Sequence, residues 1–399
     1  MRLTFTQLTR CYYLFSLLIL TVAACMNMRS LEGVETTGLE RYVNALTFML
    51  WGASALKLLI FSDYRFYRPS PLILCYCAFF VWTIIPTLME GNYDTTSLLI
   101  LDLIWITLPL LALIVSYNTV RNYGTSAWDV RMFCIMTLML FAQYVLVFRE
   151  LNIFLAHSHL IVSYYMLYML PLVFLSKSKT ARTVLTLIVT IAIVSSVKRA
   201  GFVALVAALL AYLVCWMFVA KKLKPTTILL GLIGLAAFGG LVYMAGVADE
   251  DNNVFERFET VGDDNGSNRV LVWQTTVAMI EKSDVGSFIT GHGYYSVEAN
   301  SPIGFSAHND FLEVTYDYGL VGIILYATSW LMLIAYLLRM MWNKSELAPP
   351  LAMLMTMYLV LSLISHVIIY FFANIVMLTI GYIAAKYEQQ LCSEQTESY

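Results

Sequence analysis

His308 and Asn309, followed by nine residues and then Gly319-Leu320-Val321-Gly322, stand where a polar segment re-enters an apolar run. An imidazole titrates near neutral pH, so His308 at such a border is suited to take a proton. Asn309 supports it at the start of the same helix. Three cations, Lys198, Arg199 and Arg269, lie upstream. A guanidinium grips phosphate oxygens in pairs, and an ammonium attracts them as a point charge. A base and a group of cations facing one aqueous compartment suit chemistry on a lipid-linked anion.

Plainer readings compete with each of these. His308 would serve as a hydrogen-bonded interfacial histidine in the first turn of a helix, and Gly319 and Gly322, three apart, as close-packing positions between helices. Lys198 and Arg199 would snorkel to the interface. Against that, cations are disfavoured on exported loops, and their junction is too short to be a solvated loop. Arg269 opens a helix, where a cation opposes the dipole, and a salt bridge to nearby acidic residues is its cheaper explanation. Asp102, about one turn inside a span, is a costly group in lipid and calls for a partner. An arginine, His308 or a water-filled cavity would each serve. His157, His159, His292 and His366 lack a spacing that gathers metal ligands with His308, so no metal or other cofactor is expected.

The elements that position these residues follow from composition. The chain is 60% hydrophobic and only 13% charged, against about a quarter charged in soluble domains. So much apolar surface requires a bilayer as solvent. Nothing resembles a nucleic-acid-binding patch, and the seven cysteines form neither a disulfide framework nor a zinc spacing. Val22-Ala23-Ala24-Cys25 resembles a lipoprotein cleavage site, yet a first span that stays in place is the expectation.

Apolar runs near 11–28, 44–61, 71–89, 97–116, 131–148, 157–175, 181–197, 200–220, 226–246, 318–338, 348–366 and 367–385 predict an all-α polytopic membrane protein of about twelve transmembrane helices. The run 181–220 is split only at Ser195–Gly201, and the last pair near His366. With the N-terminus inside, 15 of the 24 basic residues fall in the cytoplasm, eight on the other face and Lys57 within a span, as the positive-inside rule requires. Both termini are then cytoplasmic. Residues 1–246 carry spans one to nine, 247–317 form a large exported loop, and 318–399 carry the last three spans and a tail. The loop holds 13 acidic and three basic residues. Its first part, Asp249 to Gly266, is turn-like, with Arg257 a solvated cation. From Arg269 to Lys282, Val270, Trp273, Val277 and Ile280 recur at helical spacing and predict a short amphipathic helix against the membrane surface.

Taken together, Ser195-Ser196-Val197-Lys198-Arg199-Ala200-Gly201, Gly266-Ser267-Asn268-Arg269 with Trp273, Gly291-His292-Gly293-Tyr294 and Ala307-His308-Asn309-Asp310-Phe311-Leu312-Glu313 resemble the O-antigen ligase and polymerase superfamily of bacterial inner-membrane glycosyltransferases. The His-Asn, nine residues, Gly-x-x-Gly spacing and the twelve-span topology carry the likeness furthest. Lys198-Arg199 departs from the commoner Ser-Arg, leaving open which cation contacts phosphate. The resemblance implies a GT-C-like fold and metal-independent, inverting transfer of a glycan from undecaprenyl diphosphate to a hydroxyl of lipid A-core or a glycan acceptor. Arg199 and Arg269, with Lys198, would bind the diphosphate, and His308 would be the general base. Ligase is the leading reading and repeat-unit polymerase the next. A non-enzymatic transporter or flippase is the third, disfavoured because the chemical residues gather on one exported face.

Overall fold

The computed structural model describes residues 5–34, 38–61, 70–89, 96–154, 160–196, 198–220 and 269–397. The expected ninth span, 226–246, and the acidic first part of the large loop, with Arg257, lie outside the described residues, as do His157 and His159.

Every described element is a helix. They are α1 (Phe5–Leu31), α2 (Leu39–Phe61), α3 (Pro71–Met89), α4 (Thr96–Tyr123), α5 (Ala127–Phe154), α6 (Ser163–Val173), α7 (Lys179–Ser195) and α8 (Arg199–Ala220). The short α9 (Arg269–Lys282), α10 (Val285–Thr290) and α11 (Ser296–Asn300) precede α12 (Asp310–Trp342), α13 (Ala348–Ile364) and α14 (Ala373–Glu397). Among the described residues, six helices are long and apolar enough to cross a membrane: α1, α3, α4, α5, α8 and α12.

Helix ends fall where polar residues interrupt the apolar runs. Ser178 caps α7 by accepting from the Ala181 amide, and the break between α7 and α8 lies at the Ser-Ser-Val-Lys interruption. Among the described residues of the expected span 157–175, Ser163–Val173 are helical, and all eleven of these residues are buried. A helix apolar on every side belongs inside a bundle. Here α5, α7, α8, α13 and α14 surround it. Cys25 and its alanines are part of α1, with Ala23 and Ala24 buried in the core. Small residues bring α4 and α14 together, since a Cβ on Gly381 would lie 2.2 Å from Ser116 Oγ.

Polar contacts separate into two ends. At one, the Arg10 guanidinium donates to the Tyr123 carbonyl at 2.5 Å and pairs with Asp129 at 3.6 Å. Gln389 donates to the Val120 carbonyl there, and Tyr117 to Glu388. At the other, the Glu32 carboxylate accepts from the Val162 amide at 3.1 Å, and the Ser196 carbonyl from Leu160. The second end carries Lys198, Arg199, Arg269 and His308.

Candidate functional site

The site is built on a break in α12. Gly319 has φ 67° and ψ −169° inside this helix, a region essentially closed to side chains. The break frees carbonyls that an unbroken helix would use four residues on. Each finds a partner from elsewhere. His292 N–H donates to the Tyr316 carbonyl and Gly293 N–H to the Asp317 carbonyl, at 3.1 and 2.8 Å. Trp82 Nε1 on α3 donates to the Tyr318 carbonyl at 2.9 Å. The buried Asp317 carboxylate then accepts from the amides of Tyr295 and Val297. The Gly-His-Gly-Tyr turn is thereby laid against α12.

Gly319 is therefore not a smooth helix–helix packing position. A Cβ there would lie 2.4 Å from the Ile289 carbonyl oxygen, and one on Gly291 2.2 Å from that of Asp317. Two backbones meet where no side chain fits. At Gly322 a Cβ would crowd Tyr318 Cβ at 2.4 Å, with Trp82 of α3 at 3.6 Å, so this glycine accommodates the break as well as the neighbouring helix.

The sequence places His308 in the first turn of α12, but it lies just outside the helix. Asn309 is the N-cap: its side-chain oxygen accepts from Phe311 and Leu312 N–H, and its Nδ2 donates to the Leu363 carbonyl. A capping residue leaves the helical conformation, and His308 before it has φ 50°. For a residue with a Cβ this left-handed region costs about 1–2 kcal/mol. Neighbours hold it there. Glu313 Oε2 accepts from the Ala307 amide at 2.7 Å, and His366 Nε2 accepts from the His308 amide at 2.8 Å.

His366 is the residue that sequence reasoning missed. Its spacing gave no link to His308, yet the connector between α13 and α14 places the two rings 5.0 Å apart. The available signal was a lone ionisable side chain in an apolar run, costly in a membrane-spanning region and therefore a pointer to function.

His308 is half-buried, and its imidazole pKa is lowered from 6.5 to about 3, first by burial, then by its neighbours His366, Arg269 and Lys198. These residues come from three separate stretches of chain. Lys198 precedes α8, Arg269 opens α9, and His308 precedes α12. Lys198 also acts on Glu32, whose carboxyl burial pushes up. Arg269 lies within electrostatic reach of Tyr164, whose ring packs on Gly201 in the first turn of α8. Arg199, at the head of that helix, is half-buried beside Lys198. The pair and Arg269 thus converge on one region of the bundle end.

Asp102 lies elsewhere, acting on Tyr294 and Tyr318 beneath the Gly-His-Gly-Tyr turn. Tyr294 is itself anchored through Thr87 Oγ1 and the Ile369 carbonyl. Helix α9 has the expected bounds. Val272 and Thr276 are buried, whereas Val270 and Val277 are exposed, because the helix packs Met279 and Ile280 against Val297, Ala307 and Tyr316. Among the described residues, no group of three or more His, Cys, Asp or Glu side chains could hold a metal ion.

The arrangement presents an uncharged imidazole beside fixed cations. A neutral imidazole accepts a proton, and fixed cations neutralise an oxyanion without reorganising. A comparison with curated proteins finds no match. A family model described as O-antigen ligase matches residues 184–327, the stretch that contains Lys198, Arg199, Arg269, His308, Asn309, Gly319 and Gly322. That segment, about a third of the chain, is similar to the O-antigen ligase family and supports a relation to the O-antigen ligase and polymerase superfamily.

Proposed function

We propose that this protein is an O-antigen ligase-like membrane glycosyltransferase that moves a glycan from undecaprenyl diphosphate onto a hydroxyl of lipid A-core. The observation that carries the reading is the neutral His308 imidazole under the charges of Arg269 and Lys198, within the segment matching the ligase family. His308 takes the proton of the acceptor hydroxyl as its oxygen attacks the anomeric carbon. The bond from that carbon to the diphosphate breaks, and undecaprenyl diphosphate leaves with the electron pair. Attack opposite the leaving group inverts the anomeric centre. Arg199, Arg269 and Lys198 neutralise the charge that grows on the diphosphate, so no metal is required for that task.

The protein resides in the bacterial inner membrane with both termini cytoplasmic and the site facing the periplasm. The excess of basic residues away from the site end supports that orientation. The large loop, 247–317, is then periplasmic, and Asp102 supports the site from beneath the Gly-His-Gly-Tyr turn.

Deleting the gene in its native host and resolving the lipopolysaccharide on a gel tests the reading. The expected result is bare core, with polymer stranded on the undecaprenyl carrier. Core capped by a single repeat unit would replace ligase with polymerase, and an unchanged pattern would sink both.

A further inference from the structure

His366 and His308 are 58 positions apart in sequence, but they meet directly, by a hydrogen bond and by their rings. His366 is fully buried in the connector between α13 and α14. Its Nε2 accepts the His308 backbone N–H at 2.8 Å and lies 3.0 Å from Ser306 Oγ. A backbone amide can only donate, so Nε2 carries no proton and Ser306 donates its hydroxyl. The neutral ring must then hold its proton on Nδ1. That nitrogen faces Asp310, with Oδ1 at 3.7 Å. Asp310 is immobilised in turn: it accepts from Ser362 Oγ at 2.6 Å and from the Val367 amide at 2.9 Å.

We propose that His366 is a positioning residue that holds the His308 backbone in its left-handed conformation and so aims the imidazole at Arg269 and Lys198. The inference rests on the transferase reading above and adds a residue to it. A non-glycine residue with positive φ persists only where its surroundings over-determine it. Three acceptors do so here. Glu313 holds the Ala307 amide, His366 the His308 amide, and Asn309 caps the helix that follows. Of the three, His366 alone grips the left-handed residue itself. Its ring reaches His308 through the backbone, so it acts on where the base points rather than on the reacting atoms.

The ionisable groups around His366 are Asp310 and Glu313 on α12, His308 ahead of that helix, and Tyr370 in its own connector. Phenylalanine fills the space of the ring but accepts no hydrogen bond. Glutamine offers a carbonyl oxygen that accepts the same two.

Full-length protein in nanodiscs, assayed with an undecaprenyl-diphosphate-linked glycan and lipid A-core, separates this role from packing. A base displaced by about 1 Å costs on the order of 10²-fold in rate, so H366F is expected to lose about that much kcat. Binding of undecaprenyl diphosphate, measured separately, is expected to stay unchanged, and H366Q to recover most of the turnover. Full activity in H366F would overturn the inference. Equal loss of turnover and undecaprenyl diphosphate binding, with no recovery in H366Q, would also overturn it, because that pattern belongs to a structural role. If H366F does not fold, H366Q decides alone, and turnover in it as low as in H308A refutes the positioning role. Transfer surviving in H308A would remove the base itself, which is a failure of the parent reading and recognisable as such.

Discussion

His308→Ala lowers the rate of glycan transfer by about 10²–10⁴-fold, the contribution of a positioned general base, while undecaprenyl diphosphate binds as before. Binding survives because Arg199, Arg269 and Lys198 come from other stretches of the chain and keep their helix-terminal anchors. Transfer at the parental rate would rule out His308 as the base. The pH profile gives a second reading of the same residue. In the free protein the imidazole pKa is lowered to about 3, burial acting first and the positive neighbours adding to it. The ring is therefore neutral, and able to accept a proton, from above about that pH upward. A bound diphosphate places negative charge among the cations and offsets their repulsion, which raises the pKa. The acid limb of kcat, which reports the complex, is thus expected at higher pH than that of kcat/KM, which reports the free protein. Coincident limbs would mean that the anion does not bind beside His308.

Gly319→Ala is expected to be among the costliest small substitutions in the site. Holding alanine at φ 67° and ψ −169° costs about 1–3 kcal/mol before any contact is considered. The added Cβ would also lie 2.4 Å from the Ile289 carbonyl and 2.5 Å from the Gly291 nitrogen. Both are backbone atoms, so the Gly-His-Gly-Tyr turn must move away and release the Tyr316 and Asp317 carbonyls it occupies. A lower thermal unfolding midpoint, faster proteolysis within 283–300 and loss of transfer should appear together. Gly52→Ala is the control. That glycine is within α2, with nothing within 4 Å of its added Cβ, and alanine there should be neutral or stabilise by up to about 1 kcal/mol. A Gly319→Ala protein with parental unfolding and activity would refute the break in α12 as the frame of the site.

Legibility was high wherever the information is local. The bounds of α9 and the interruption between α7 and α8 follow from apolar spacing and short polar residues, which are properties of neighbours in the chain. The side of α9 that packs on the protein was not legible, because Val270 and Val277 satisfy helical periodicity as well as Val272 and Thr276 do. Only the surface offered by Val297, Ala307 and Tyr316 chooses between them. The short α6 was also hidden, since an apolar run looks the same whether it spans a bilayer or sits inside a bundle.

By itself the sequence determined an all-helical, membrane-compatible chain with a histidine and three cations near helix ends, because hydropathy and residue chemistry act over a few neighbouring positions. The tertiary structure decided that Lys198, Arg269 and His308 converge, that α12 breaks at Gly319, and that His366 grips the His308 backbone. Those outcomes depend on carbonyls and amides finding partners tens of residues away. The physical reason is that a buried polar group must be satisfied by whatever the fold brings to it, and chain spacing alone does not say what that will be.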